Sequence, residues 1–142
     1  MRKVLLISII AILANLFPAK LSAESTIYVI FNPSFVQAPF DIYINGDQTF
    51  SIKEGVIRKV TTKETGRAII TYKLGVKYTA DIILNLRENS VHYVKLYLPN
   101  LWVAVTKSRG QWIFKELSKK EGAEEIIKEG YIYEKDYYYK AK

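Results

Sequence analysis

Cysteine is absent from this chain of 142 residues, and histidine and methionine each occur once. The first absence removes thiol nucleophiles, disulfide exchange and zinc–thiolate sites. The second leaves no pair of imidazoles to share a metal. No glycine-rich loop leads into a helix, so phosphate cradling is unsupported. Asn45-Gly46-Asp47 is a turn signal rather than a calcium loop, because the alternating acidic positions of such a loop are missing. These absences point away from cofactor and metal chemistry, and no cofactor is expected.

What is present begins at the N terminus. Arg2 and Lys3 precede an apolar run from Val4 to Phe17, broken only by Ser8 and Asn15. Pro18 ends it, and Leu21-Ser22-Ala23 puts a small residue before an expected cut. This is the layout of a secretory signal peptide. The run falls short of the roughly 20 apolar residues of a membrane-spanning helix. Membrane attachment is therefore expected only if this segment is left uncleaved. The formal net charge of +7 falls to +4 once Arg2, Lys3 and Lys20 leave with the leader. That mild excess favours acidic surfaces. The expected location is periplasmic or secreted, with residues 1–23 as signal peptide.

From Thr26 to Phe114 apolar residues recur with period two between turn residues, which predicts short strands. Ile27, Val29 and Phe31 alternate, then Phe40, Ile42 and Ile44. Asn45-Gly46 suits the positive backbone angles of a tight hairpin, with Phe50 and Ile52 on the return strand. Arg67–Lys73 and Tyr78–Leu84 read as strands joined at Gly75. Val91–Leu98 reads as the longest strand, and Leu101–Thr106 with Gln111–Phe114 as a last hairpin around Ser108-Arg109-Gly110. Eight or nine such strands, uninterrupted by long helical patterns, predict an all-β antiparallel sandwich over residues 24–115.

Residues 116–142 change character. Ser118-Lys119-Lys120-Glu121 fits a capping box, Ala123, Ile126 and Ile127 fall on one helical face, and Gly130 is placed to stop the helix. A short C-terminal α-helix is expected, followed by a tyrosine-rich tail. That tail either docks on its own domain or offers Tyr137, Tyr138 and Tyr139 to a partner.

Few residues suggest catalysis. His92 starts a strand on the parity of Val94 and Leu96 and reads as a satisfied or rim residue. Serine–histidine chemistry is open by composition, although no G-x-S-x-G elbow precedes a helix. Asp41 and Asp81 alternate with apolar neighbours and read as solvent-facing, while Asp47 sits in a turn. A carboxylate pair among them would make a hydrolase of envelope polymers, the alternative reading. Tyr93, Lys95 and Tyr97 share a strand face that imitates a nucleic-acid stripe. Export argues against a nucleic-acid partner. These three, with Trp102 and the three tail tyrosines, are the candidate binding residues; the competing account of Trp102 has it covered by the helix or tail.

The stretch Pro39-Phe40-Asp41-Ile42-Tyr43-Ile44-Asn45-Gly46 resembles the opening of PEGA-type domains and of a related group of small exported bacterial domains of unknown function. Thr65-Gly66-Arg67-Ala68-Ile69 and Val91-His92-Tyr93-Val94-Lys95-Leu96 are similar to later strands of that group. The glycine-threonine-proline segment expected after Gly46 and a lipid-attachment cysteine are missing. The resemblance implies an immunoglobulin-like or transthyretin-like β-sandwich without known catalytic residues. The resulting expectation is a non-enzymatic binding or structural module of the periplasm or cell envelope, with an envelope protein or polysaccharide as partner.

Overall fold

Alternating apolar residues become strands wherever two faces have different surroundings, and this chain has many such stretches. The computed structural model describes residues 23–32, 39–74, 77–98 and 112–142. In chain order the strands are β1 (Ser25–Phe31), β2 (Phe40–Ile44), β3 (Asp47–Ile52), β4 (Val56–Thr62), β5 (Gly66–Leu74), β6 (Lys77–Leu86), β7 (Val91–Tyr97) and β8 (Ile113–Leu117). The helix α1 (Lys119–Ile126) follows, then β9 (Ile132–Tyr133) and β10 (Tyr137–Tyr139). Among the described residues the fold is an all-β sandwich with one short C-terminal helix. Sheet I has the order β10-β4-β1-β7-β8, with β9 also on β4; sheet II has the order β3-β2-β5-β6.

The expected alternation sets the core. Ile27, Val29 and Phe31 from β1, Phe40, Ile42 and Ile44 from β2, and Val94 and Leu96 from β7 are all fully buried between the sheets. Leu98 is partly buried against them. Trp112 packs edge-on to Phe31 and Phe40, with ring centroids 5.0 and 5.5 Å apart, and its carbonyl accepts from the Tyr72 hydroxyl at 2.6 Å. The Asn45-Gly46 hairpin forms as read, with φ of 51° and 87°, angles that suit a two-residue turn. Asn45 also ties the turn down, its Oδ1 accepting from the Ile69 amide.

Three departures from the sequence reading have identifiable causes. Pairing is not antiparallel throughout: β1 runs parallel to β7, and β9 and β10 run parallel to β4. Turn residues fix the direction of strands they join, but these partners are distant in sequence, so no turn reports their direction. The longest strand is β6, with 10 residues, rather than β7, with 7. Finally, β8 runs across the expected boundary at residue 115, and β9 and β10 extend sheet I, so the C-terminal segment is built into the sandwich. The signal segment up to residue 22, Gly75, Leu101–Thr106, Trp102 and the Ser108-Arg109-Gly110 turn lie outside the described residues.

Candidate binding face

The second face of sheet I carries the candidate site. Register partners share a face, so Tyr28 and Tyr93, Ile30 and Lys95, and Ile30 and Ile57 stand together on the side away from the core. Lys95 is opposite Lys115 on β8, Tyr97 opposite Ile113, and Tyr93 opposite Leu117. Ile30 and Ile57 are nevertheless fully buried. This face is therefore roofed in part, and α1 packs on β7 and β8 to roof it.

The capping box begins the helix as read: the Glu121 amide donates to Ser118 Oγ at 3.2 Å and the Ser118 amide to Glu121 Oε2 at 2.9 Å. These bonds hold the Glu121 carboxyl below its ordinary range, helped by the nearby Lys115 charge. The inward side of the helix differs from the expected one. Gly122 and Glu125 are buried, whereas Ala123 is exposed and Ile127, the C-cap, is 80 % exposed. Close approach explains this. A Cβ on Gly122 would sit 2.1 Å from Tyr93 Cγ, so only glycine lets the helix backbone rest on that ring.

Glu125 is the second anchor. Its Oε1 accepts from Lys95 Nζ at 2.7 Å and from the Tyr131 hydroxyl at 2.6 Å, and its Oε2 from Lys128 Nζ at 2.6 Å. Burial alone would raise its pKa. The bonds from Lys128, Lys95 and Tyr131, with the Lys95 charge, outweigh that and bring it to about 2. Burial and the adjacent Glu125 carboxylate push the Tyr131 phenol well above its ordinary range. Tyr28 and Tyr93 stack with centroids 5.1 Å apart and planes within 8°. Burial, then the nearness of Tyr28 and Tyr93, raises the Tyr133 phenol.

Beside the helix the face opens into a shallow cavity of about 200 Å³ lined by Lys95, Tyr97, Lys115 and Leu117. Lys95 is already paired with Glu125, and Lys115 is exposed. The cavity thus combines ammonium groups, an aromatic ring and an apolar side chain.

The sequence candidates separate accordingly. Tyr93 lies under Gly122, Lys95 under Glu125, and Tyr97 on the open cavity. Tyr137 packs on Phe50 at 5.4 Å, Tyr139 is buried with its hydroxyl 3.5 Å from Asp47 Oδ2, and Tyr138 is half-exposed. The tail is therefore docked on its own domain as an edge of sheet I. His92 places Nδ1 2.6 Å from Glu116 Oε1 and Nε2 3.0 Å from Ser90 Oγ. Asp41 Oδ1 accepts from Ser51 Oγ, and Asp41 and Asp81 stand on strands separated by β5. Sequence reasoning missed Glu125, Tyr131 and Lys115. None of the three had a local signal: the apolar residues Ala123, Ile126 and Ile127 mark a helix face turned away from Glu125.

No protein-family model, curated protein or solved structure matches the chain.

Proposed function

We propose that this chain is an exported binding module of the bacterial periplasm or cell envelope, in the manner of the PEGA-type domains it resembles, and that it holds an anionic envelope polysaccharide on the outer face of sheet I. The cavity of Lys95, Tyr97, Lys115 and Leu117 carries this reading. A tyrosine ring offers an apolar surface for a sugar face and a polar tip for its hydroxyls. An exposed ammonium beside it attracts carboxylate groups, and the mild positive charge of the chain acts in the same direction. The open form of the cavity suits a polymer passing across it. Closed ligand pockets are larger, about 300–1,000 Å³.

Affinity electrophoresis tests the reading, with polygalacturonate in one gel and a neutral dextran in another. The protein should be retarded by the anionic polymer, less so at high salt, and Tyr97→Ala and Lys115→Glu should each remove most of the retardation while circular dichroism stays unchanged. Equal mobility in both gels would reject the polysaccharide. Specific capture of an envelope protein, lost in the same two variants, would replace it with a protein partner.

A further inference from the structure

The opposite face of the β7–β8 ladder holds a different arrangement. Ser90 ends the turn that leads from β6 into β7. Its amide donates to the Arg87 carbonyl at 2.9 Å, and its Oγ accepts from the Arg87 amide at 3.1 Å. The hydroxyl is thereby fixed in place by backbone. His92 lies two residues on, hence on the same side of the strand. Glu116, opposite Val94 on β8, is the diagonal neighbour of His92 and within reach of a long side chain.

The three side chains meet in a definite order. Glu116 Oε1 is 2.6 Å from His92 Nδ1, and His92 Nε2 is 3.0 Å from Ser90 Oγ. A carboxylate accepts only, so Nδ1 carries a proton and donates it to Glu116. In the neutral ring Nε2 then has a lone pair aimed at the serine hydroxyl. Serine, imidazole base and orienting carboxylate, joined through these two nitrogens, form the constellation that activates serine for acyl transfer. His92 is mostly buried, its side chain 13 % exposed, which holds the ring to one orientation. Ser25 adds a further tie: its hydroxyl donates to the Arg87 carbonyl at 2.6 Å and its oxygen accepts from the Ser90 hydroxyl at 3.3 Å, a longer bond than the 3.0 Å to His92 Nε2, so the Ser90 proton has two acceptors and passes to the imidazole on attack.

We infer that Ser90, His92 and Glu116 form a second site of this chain, one that accepts the acyl group of carboxylic esters. Ser90 Oγ attacks the ester carbonyl carbon while His92 Nε2 takes the hydroxyl proton. The bond to the alkoxy oxygen then breaks, and that oxygen leaves with the proton from Nε2, giving an acyl-serine and a free alcohol. Water attacks the acyl-serine, His92 takes its proton and returns it to Ser90 Oγ, and a carboxylic acid departs. Glu116 is a positioning residue: it holds the tautomer and balances the charge on the ring. Ser90 stands half-buried at a turn, so the ester is one that a surface can receive, an acyl group on an extended or small alcohol. The inference is independent of the polysaccharide reading, because Lys95 and Tyr97 stand on the other face of the same ladder.

A fluorophosphonate probe tests it, since such probes phosphonylate serines with an activated hydroxyl. Incubation with the purified protein should add one phosphonyl group by intact mass, mapped by peptide sequencing to Ser90. A general base typically contributes about 10²–10⁴-fold, so His92→Gln should slow labelling at least about 100-fold. Glu116→Gln should slow it about tenfold or more with an unchanged thermal midpoint. Added imidazole should restore labelling to His92→Ala, a rescue that a merely structural histidine would not show. A folded protein that takes no label, takes it at another residue, or labels Ser90 at the same rate in His92→Gln overturns the proposal and leaves Ser90, His92 and Glu116 as a brace for the turn.

Discussion

At the scale of single residues, two positions decide how the C-terminal helix sits. Gly122 is a poor helix former, and replacing glycine with alanine in a helix ordinarily adds about 1 kcal/mol of stability. Here the sign reverses, because the new methyl group would lie 2.1 Å from Tyr93 Cγ and within 2.5 Å of its Cβ. Those atoms are the near end of a ring already stacked on Tyr28, so they cannot swing aside. Gly122→Ala is expected to destabilise the protein by about 1–3 kcal/mol, the usual cost of overpacking, measured as a lower midpoint in urea. An unchanged or raised midpoint would mean that the helix does not rest on Tyr93. Nothing in the local sequence distinguishes this glycine from a helix-weakening accident. Its role depends on a ring 29 positions earlier in the chain.

At the scale of elements, the helix shows where periodicity ends as a guide. The capping box was readable because its two bonds join residues three apart. The face was not, because an apolar stripe of Ala123, Ile126 and Ile127 gave the helix a direction that Glu125 contradicts. The carboxylate is drawn inward by Lys95, Tyr131 and Lys128, which come from β7, the segment after the helix and the helix end. This clamp has a pH signature. Glu125 titrates from an ordinary value of 4.5 in the open chain to about 2 in the folded one. A depressed folded value means that the unfolded chain binds its proton first. The stabilisation is therefore complete above about pH 4.5 and is lost as pH falls from there through about 2. Thermal melts of wild type and Glu125→Gln between pH 6 and pH 2 should converge as acid is added, with wild type higher at pH 6. Parallel curves would show that the clamp contributes nothing to stability.

At the scale of the whole molecule, the proposed address and the observed architecture draw on different information. A basic start, an apolar run and a small residue before Glu24 are consecutive in the chain, so the export proposal needs no tertiary information. Intact mass of the protein from its native envelope should correspond to a chain beginning near Glu24. A mass that includes Met1 to Ala23 would reject cleavage and favour an anchor. The sequence by itself determined the strands β1 to β7, the facing core of Phe40, Ile42, Ile44, Val94 and Leu96, the Asn45-Gly46 hairpin and the helix cap, because each depends on spacing within a few residues. Tertiary structure alone decided the parallel pairing of β1 with β7, the docking of Tyr137 and Tyr139 beside β4, the cavity at Lys95 and Lys115, and the meeting of Ser90, His92 and Glu116. Alternation tells a residue which face it occupies and leaves open which distant strand lies beside it. Hydrogen bonds between strands carry no side-chain code, so their order is fixed only when the two sheets close over one core.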